Sequence, residues 1–391
     1  MRWTTGAPVR FIRRDGLVEP IMGAALRRPP TDHMSDVRLI AFYLPQFHPI
    51  PENDAWWGEG FTEWANVRRA RPNFVGHYQP HVPTELGYYD LRDPETREAQ
   101  ANLARAHGIH GFCYYYYWFG GKRLLDLPLD EVVRSGRPDF PFCVSWANGN
   151  WTRRWDGGND ELLIAQTYSS ENERRLIAEL LPVFRDPRYI RVNGRPLIVV
   201  HRADLLPDPR CATGAFRDAA LASGEAEPYL AMVHVPGMAP PAALGFDAGI
   251  EFPPHGLEVA TLTEDIERLN RNFVGEVWDY VSAAKYAIGR PVPEFPLFRG
   301  VMVGWDNTPR LQDNGHVFVN AHPENYRRWL AAMIAETRQT RSEGERIVFV
   351  NAWNEWGEGC YLEPDELFGR GFLEATRAAL AGDPRLAEAR G

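Results

Sequence analysis

The sequence predicts one closed (β/α)8 barrel of the α/β class, with extended loops after its strands. Two observations carry the prediction. Eight short runs rich in β-branched and aromatic residues alternate with helical stretches from Arg38 onward, and such alternation signals parallel strands joined by crossover helices. No strong linker divides the 391 residues, and the eighth run falls near the end; a single barrel with loop insertions runs past ~250 residues without a second domain.

Run one, 38–44, is followed by a helical stretch at 94–107 that carries apolar or small residues at helical spacing and stops before Gly108, a common terminator. Run two is 111–116, with its helix at 130–135. Run three is 142–146, with a helix at 171–184. Run four is 196–201, with a helix at 217–221. Run five is 229–233 and run six 247–252; the fourth and fifth connections carry the weakest helical patterns. A helix at 261–269 is expected after run six. Run seven, 299–304, leads to a helix at 323–339, and run eight, 347–352, to one at 372–381.

Residues 1–35 differ from the rest. They are basic (Arg2, Arg10, Arg13, Arg14, Arg27, Arg28), contain Pro29-Pro30 and show no periodicity. They read as a flexible extension ahead of a catalytic barrel over residues 36–385, with Met34 as an alternative start. The formal charge of −9 speaks against nucleic acid as a partner, because phosphate backbones need a concentrated basic surface. No run reaches the ~20 apolar residues that span a membrane. No secretory leader is legible, so a cytoplasmic protein is expected. Cys113, Cys143, Cys211 and Cys360 form no Cys-x-x-Cys pair, which gives no zinc or redox motif. The sequence leaves the oligomeric state open.

Barrel active sites lie at the C-terminal ends of the strands, so the residues leaving each run are the candidates. The first exit offers Gln46 and His48, the second Tyr116, Tyr117 and Trp118. The third offers Trp146, Asn148, Asn150 and Trp151, continuing through Arg153 to Asp156. The fourth ends at His201, the fifth at His234, and the sixth carries Glu251. The seventh holds Trp305 and Asp306 and runs on to Arg310. The eighth reads Trp353-Asn354-Glu355-Trp356-Gly357-Glu358. Eight such exits, in phase with the strands, argue for one shared pocket.

The residue types point to a carbohydrate. Indole and phenol faces are apolar plates with a negative quadrupole, on which the C–H faces of sugar rings stack. Asn, Asp, Arg and His supply the hydrogen bonds that read hydroxyls. The polar, glycine-rich loop over 51–64 adds Trp56, Trp57, Glu63 and Trp64; too broken for a helix and too polar for a strand, it either walls a subsite or pins itself to the barrel. The histidines show no metal-ligand spacing such as His-Glu-x-x-His, and no cofactor is implied.

Glu355 and Glu358, three residues apart in a Trp/Gly-rich turn, are the catalytic candidates. Glycosidic cleavage needs one carboxylic acid to protonate the leaving oxygen and a second carboxylate as base, nucleophile or charge stabiliser. Close carboxylates push their pKa values apart, so one holds its proton near neutral pH. A short separation, roughly 5 Å, suits retaining chemistry. The alternative is that either residue caps a helix or ties down the turn. Glu363, ahead of Pro364, reads as supporting structure.

These residues carry a resemblance. Over roughly 38–375 the chain resembles the WbsX-like proteins of bacterial polysaccharide loci, classed as glycoside hydrolase family 99-like and related to the endo-alpha-mannosidases. The stretches that carry it are 42–49, 52–64, 87–93, 111–119, 146–157, 251–256, 304–309 and 351–359. The resemblance implies a (β/α)8 barrel and retaining hydrolysis or transglycosylation of an alpha-linked, mannose-like bacterial polysaccharide. It also implies that Glu355 helps the sugar's own 2-hydroxyl attack the anomeric carbon, through a 1,2-anhydro sugar, and that Glu358 is the general acid and then base. Two positions depart from the pattern. Gly149 stands where the WbsX-like group usually has Glu, and Gly357 stands where the mannosidases carry His. The group is also labelled glycosyltransferase, yet the chain has no Asp-x-Asp motif and no glycine-rich phosphate loop. A sugar-binding barrel without catalysis is the third reading.

Overall fold

The computed structural model describes residues 36–153 and 161–382. The expected extension over 1–35, and residues 154–156 of the third exit, lie outside the described residues.

Eight parallel strands form the barrel: β1 (Arg38–Tyr43), β2 (Ile109–Phe119), β3 (Phe142–Trp146), β4 (Arg195–Val200), β5 (Tyr229–Val233), β6 (Ala248–Ile250), β7 (Leu297–Met302) and β8 (Ile347–Asn351). Each pairs with the next, and β8 pairs back onto β1, with Phe349 opposite Ile40. The sheet is therefore closed, as the sequence predicts, and all eight strand ends point to one rim.

Successive side chains alternate across a strand, so each strand has an inner and an outer set. On the inside, Phe42 packs against Tyr115, Phe252 and Phe349 at ring distances of 5.8, 4.9 and 5.4 Å. Fully burying one such ring contributes roughly 1.5–3 kcal/mol. On the outside, Val144, Ile198 and Val200 are buried, and the crossover helices cover that face.

The helices begin where short polar side chains cap them. Asp93 accepts from the Glu95 amide at the start of Pro94–Ala106. Ser169 caps Ser170–Phe184 and Asp208 caps Pro209–Ala222. The last of these is longer than the expected 217–221, and Leu127–Ser135 begins ahead of the expected 130. The fifth connection holds one short turn of 3-10 helix, Pro241–Leu244.

Two expectations are corrected. Residues 261–269 are not helical. The Thr261 and Thr263 hydroxyls bond the backbone of this segment and of Val277 instead, the competition that weakens Thr as a helix former. The helix of that crossover is Tyr280–Gly289, capped by Asp279 through the Ser282 amide. The loop over 51–64 holds a short helix, Pro51–Trp57, that Gly58 ends, and the start of another, Glu63–Arg69. Among the described residues no helix is long and apolar enough to cross a membrane.

Candidate active site

The turn after β8 is a tight hairpin in which Asn354–Glu355 pairs antiparallel with Cys360–Tyr361. Between them Trp356–Glu358 makes one 3-10 turn, and Gly359 closes it at φ 57°. This geometry brings Glu355 and Glu358 to the same guanidinium. Arg310, on the short helix Thr308–Leu311 after β7, donates from Nη2 to Glu355 Oε2 at 2.8 Å and from Nη1 to Glu358 Oε1 at 2.6 Å. Its Nε donates to Oε1 of Glu63 at 2.9 Å. Three carboxylates from two separate segments thus converge on one cation. Gly357 makes room for it: a Cβ there would lie 2.0 Å from Glu63 Oε1 and 2.9 Å from Arg310 Nε.

The electrostatics follow from burial. Loss of water is the main cause that raises the Glu355 carboxyl; Arg310 opposes the rise, Glu358 and Glu63 add to it, and the result is about 8. Glu358 is also raised, again by burial first, with Arg310 opposing and Glu63 adding. About a fifth of the Glu358 side chain remains open, 21% against 5% for Glu355, so the burial cost falls harder on Glu355. The two are coupled, and the protons belong to the pair rather than to either residue.

The turn is held from beneath. Trp356 stacks on Tyr361 at 3.7 Å and donates its indole N–H to Glu363 Oε2 at 2.6 Å. Glu363 also accepts from Tyr89 Oη at 2.9 Å and Gln100 Nε2 at 2.7 Å, and burial lifts its carboxyl to about 7. Asn354 exchanges hydrogen bonds with the Leu44 backbone, tying the turn to the end of β1. Trp353 is fully buried against Phe112 on the outer face. Trp353, Asn354 and Trp356, expected in the pocket wall, therefore support the turn. Asp306 is likewise engaged. Its Oδ2 takes Gln79 Nε2 at 2.7 Å and lies 2.6 Å from His77 Nε2, and its Oδ1 accepts from the Thr308 amide and hydroxyl. Burial would raise this carboxyl, but His77, His81 and Thr308 outweigh it and hold it at about 2. Asp306 so anchors the helix that carries Arg310. Trp305, beside it, is buried and its backbone pairs with Phe318.

The inner face of β2 supplies the nearest wall. The Tyr115 and Tyr117 hydroxyls are raised well above the usual range by burial first and by the charge of Glu355 next. Tyr117 meets Trp151 at 5.1 Å, Trp151 meets Trp56 at 5.7 Å, and Trp56 meets Trp57 at 5.3 Å. Arg153 Nη1 donates to the Trp56 carbonyl, joining the 51–64 segment to the third exit. His201 stands edge-on to Tyr115 and Phe252, and burial, helped by His255 and Arg202, lowers its imidazole to about 3, so the ring is neutral.

Several expected wall residues point elsewhere. Tyr116 lies opposite Trp146 in the β2–β3 register, and parallel partners share a face, here the outer one. Arg123 sits over the Tyr116 ring at 4.7 Å. Trp118 donates to Glu179 Oε2 in the outer helix, and Trp146 packs on Phe216. Glu251 is also outside, accepting from Arg290 and Arg299 at 2.8 and 2.7 Å. His234, on that face too, packs against Phe295. The cause is one of phase: each side chain is one residue removed from an inward position. Asn148 ties the third exit to the fourth through the Arg202 backbone. Asn150 is exposed and accepts from the Gln166 amide. Trp64 is buried against Phe47 and Trp356 and donates to the Tyr89 carbonyl, which pins its loop. Gln46 and His48 are buried where the chain leaves β1; the Gln46 carboxamide and His48 Nδ1 have no hydrogen-bond partner among the described residues.

Sequence reasoning missed Tyr115 and the roles of Tyr117, beside the carboxylates, and of Arg310. The signal for the tyrosines was the alternation of β2 itself, counted from Cys113 inward. Arg310 stood in the seventh exit, but nothing local marks it as a partner of the eighth.

Residues 39–376 match the family model described as glycosyltransferase WbsX. The protein WxcX of Xanthomonas campestris pv. campestris, in strain B100 and in strain ATCC 33913, is 44% identical over 349 residues, which is 89% of this chain and 50% of the relative. The chain thus spans about half the length of these relatives. Among solved structures, a glycoside hydrolase-like protein overlays with a TM-score of 0.56 at 14% identity, covering 91% of this chain and 97% of that one. The glycoside hydrolase family 99 endo-alpha-mannosidase of Bacteroides thetaiotaomicron overlays with a TM-score of 0.54 at 15% identity, covering 92% and 99%. At these identities the overlays establish a common barrel fold.

Proposed function

The chain belongs to the WbsX family, and from that premise we propose that it is a retaining glycoside hydrolase or transglycosidase acting on an alpha-linked, mannose-like unit of a bacterial polysaccharide. The observation that carries the reading is the pair Glu355 and Glu358, held on one guanidinium beside an aromatic wall at the exits of a closed barrel. The endo-alpha-mannosidase named among the overlays supports the choice of sugar.

In the proposed reaction the pair shares one proton, the state that two close, buried carboxyls favour near neutral pH; burial favours Glu355 as its holder in the free protein, and the reaction proceeds from the form with the proton on Glu358. Glu355 takes the proton of the substrate's 2-hydroxyl as that oxygen attacks the anomeric carbon. Glu358 gives its proton to the departing glycosidic oxygen. The C1–O2 bond forms as the glycosidic bond breaks, leaving a 1,2-anhydro sugar. Glu358, now a carboxylate, takes a proton from water; the water oxygen bonds to C1 as the C1–O2 bond breaks, and Glu355 returns its proton to O2. Two inversions at C1 leave its configuration retained. An acceptor hydroxyl in place of water makes the second half a transfer.

The test is product analysis with alpha-linked glycans and the host polysaccharide, on the wild type and on Glu355→Gln and Glu358→Gln. Each substitution is expected to lower turnover by ~10²–10⁴-fold, the usual worth of a general acid or base. Unchanged turnover in both would remove the assignment. The family's description favours a second reading, sugar transfer from a nucleotide sugar. Saturable binding of a nucleotide sugar, with transfer from it, would put that reading first. Glycan binding without turnover by the wild type would leave a sugar-binding barrel.

A further inference from the structure

Building on the hydrolase reading, we infer that Glu63 and Arg310 are a charge-setting pair: Arg310 is the positioning residue that holds Glu355 and Glu358 together, and Glu63, by drawing on the same guanidinium, keeps one proton on the two.

The geometry makes the case. The Nε edge of Arg310 is spent on Glu63 and the two terminal nitrogens on Glu358 and Glu355. Glu63 is fully buried, and Asn66 Nδ2 donates to the same Oε1 that Arg310 binds, at 3.2 Å. If all three carboxyls ionised, one guanidinium would face three negative charges in a place largely closed to water. Uncompensated buried charge is costly, and such a cluster keeps a proton instead. With Glu63 neutral or absent, the balance becomes two against one and Arg310 holds both remaining carboxylates more strongly. Glu63 thus acts on the couple both by repulsion and by sharing its cation.

Among the described residues, the other groups facing the couple do not supply the missing charge. β2 presents the Tyr115 and Tyr117 phenols. The hairpin presents the Cys360 thiol, pushed up chiefly by burial. Asp306, behind Gly359, is taken up by His77, Gln79 and Thr308. Glu363 lies beneath Trp356 with its own donors. Gly357 provides an independent handle. A Cβ there would meet Glu63 Oε1 at 2.0 Å, Glu63 Cδ at 2.8 Å and Arg310 Nε at 2.9 Å, so the smallest side chain wedges between the Glu63 carboxyl and the Arg310 Nε edge without changing any charge.

The experiment is a pH titration of the glutamate carboxyls by carbon-13 NMR on the full chain, comparing wild type, Glu63→Gln and Gly357→Ala, with Glu355→Gln and Glu358→Gln to assign the couple. Glu63→Gln keeps the side chain's shape and removes one charge. The upper titration of the couple is expected to fall by about one pH unit or more in Glu63→Gln, and in the same direction in Gly357→Ala. The alkaline limb of the pH–rate profile is expected to move with it, a change that loss of packing alone would not cause. A couple whose titration stays where it is in a folded Glu63→Gln overturns the proposal; if that variant does not fold, an unmoved couple in Gly357→Ala does so. The titration needs no substrate. If it shifts as expected while the wild type turns over no glycan, the hydrolase reading falls and the charge-setting role stands.

Discussion

Glu363 accepts the indole N–H of Trp356 at 2.6 Å, and Trp356 stands between the two glutamates proposed to carry the chemistry. A buried carboxyl with Tyr89, Gln100 and Trp356 as donors locks the hairpin in place. Glu363→Leu leaves three donors without their acceptor, at a cost of about 1–3 kcal/mol for each buried group left unpaired. The expected outcome is a lower urea midpoint together with a fall in kcat at nearly constant KM, because the carboxylates move while the aromatic wall stays. A variant with wild-type kcat and reduced stability alone would show that the hairpin does not depend on this contact.

Stability should fall as pH rises through the neutral range. Glu355 is raised from 4.5 to about 8 and Glu363 from 4.5 to about 7, so the folded state binds protons that the unfolded chain has released. The stability from these protons is fully present below about pH 4.5 and is lost as pH climbs through 7 and 8. Glu355→Gln removes Glu355's share of that dependence and leaves that of Glu363. It is expected to stabilise the fold at pH 8 by about 1 kcal/mol or more and to change little at pH 4.5. Denaturation curves at the two pH values check this; an equal effect at both would place the loss outside the titration of Glu355. Asp306 works in the opposite sense. Held at about 2, it contributes stability above its ordinary range that disappears in stronger acid.

The barrel was legible because its signals are local. Eight apolar runs and their capped helices need only neighbours in sequence, and even Tyr280–Gly289 had its cap in Asp279. The expected helix over 261–269 fails because two threonines use their hydroxyls on nearby backbone, and apolar spacing alone does not register that. The site was legible only in part. Glu355 and Glu358 share one turn and could be read together. Arg310 meets Glu355 across 45 residues and Glu63 across 247, and no short-range pattern encodes such a meeting. Tyr116 and Trp146 failed as wall residues for a simpler reason: with a period of two, a one-residue misreading turns a side chain to the opposite face.

That phase gives a paired prediction. Tyr117→Phe removes a hydroxyl next to Glu355, and Trp151→Ala removes a plate of the wall. Both are expected to weaken glycan turnover, Trp151→Ala mainly through KM. Tyr116→Phe, on the outer face beside Arg123, should leave turnover unchanged. Trp146→Ala, fully buried among Trp118, Tyr168 and Phe216, is expected to cost about 3–5 kcal/mol of stability. Kinetics on one responsive glycan, with thermal midpoints alongside, separate the two faces; loss of turnover in a stable Tyr116→Phe would reverse the assignment of β2.

The two glycine departures call for opposite outcomes. At Gly357 there is no room, because an added Cβ meets Glu63 and Arg310; Gly357→His should disrupt the carboxylate cluster and abolish turnover even if the barrel folds. At Gly149 no described atom lies within 4 Å of a built Cβ, and its φ lies outside the left-handed region, so a side chain can start here without a clash at Cβ or backbone strain. Gly149→Glu is expected to alter stability by less than about 0.5 kcal/mol, as substitutions at open positions do. Gly149 lies two residues before Trp151 of the aromatic wall, so a carboxylate here would act on substrate recognition. The expected result is a changed order of preference across a panel of alpha-linked glycans, read as kcat/KM for each, with the unfolding midpoint unmoved. An unchanged preference order in the stable variant would mean that this loop does not reach the sugar.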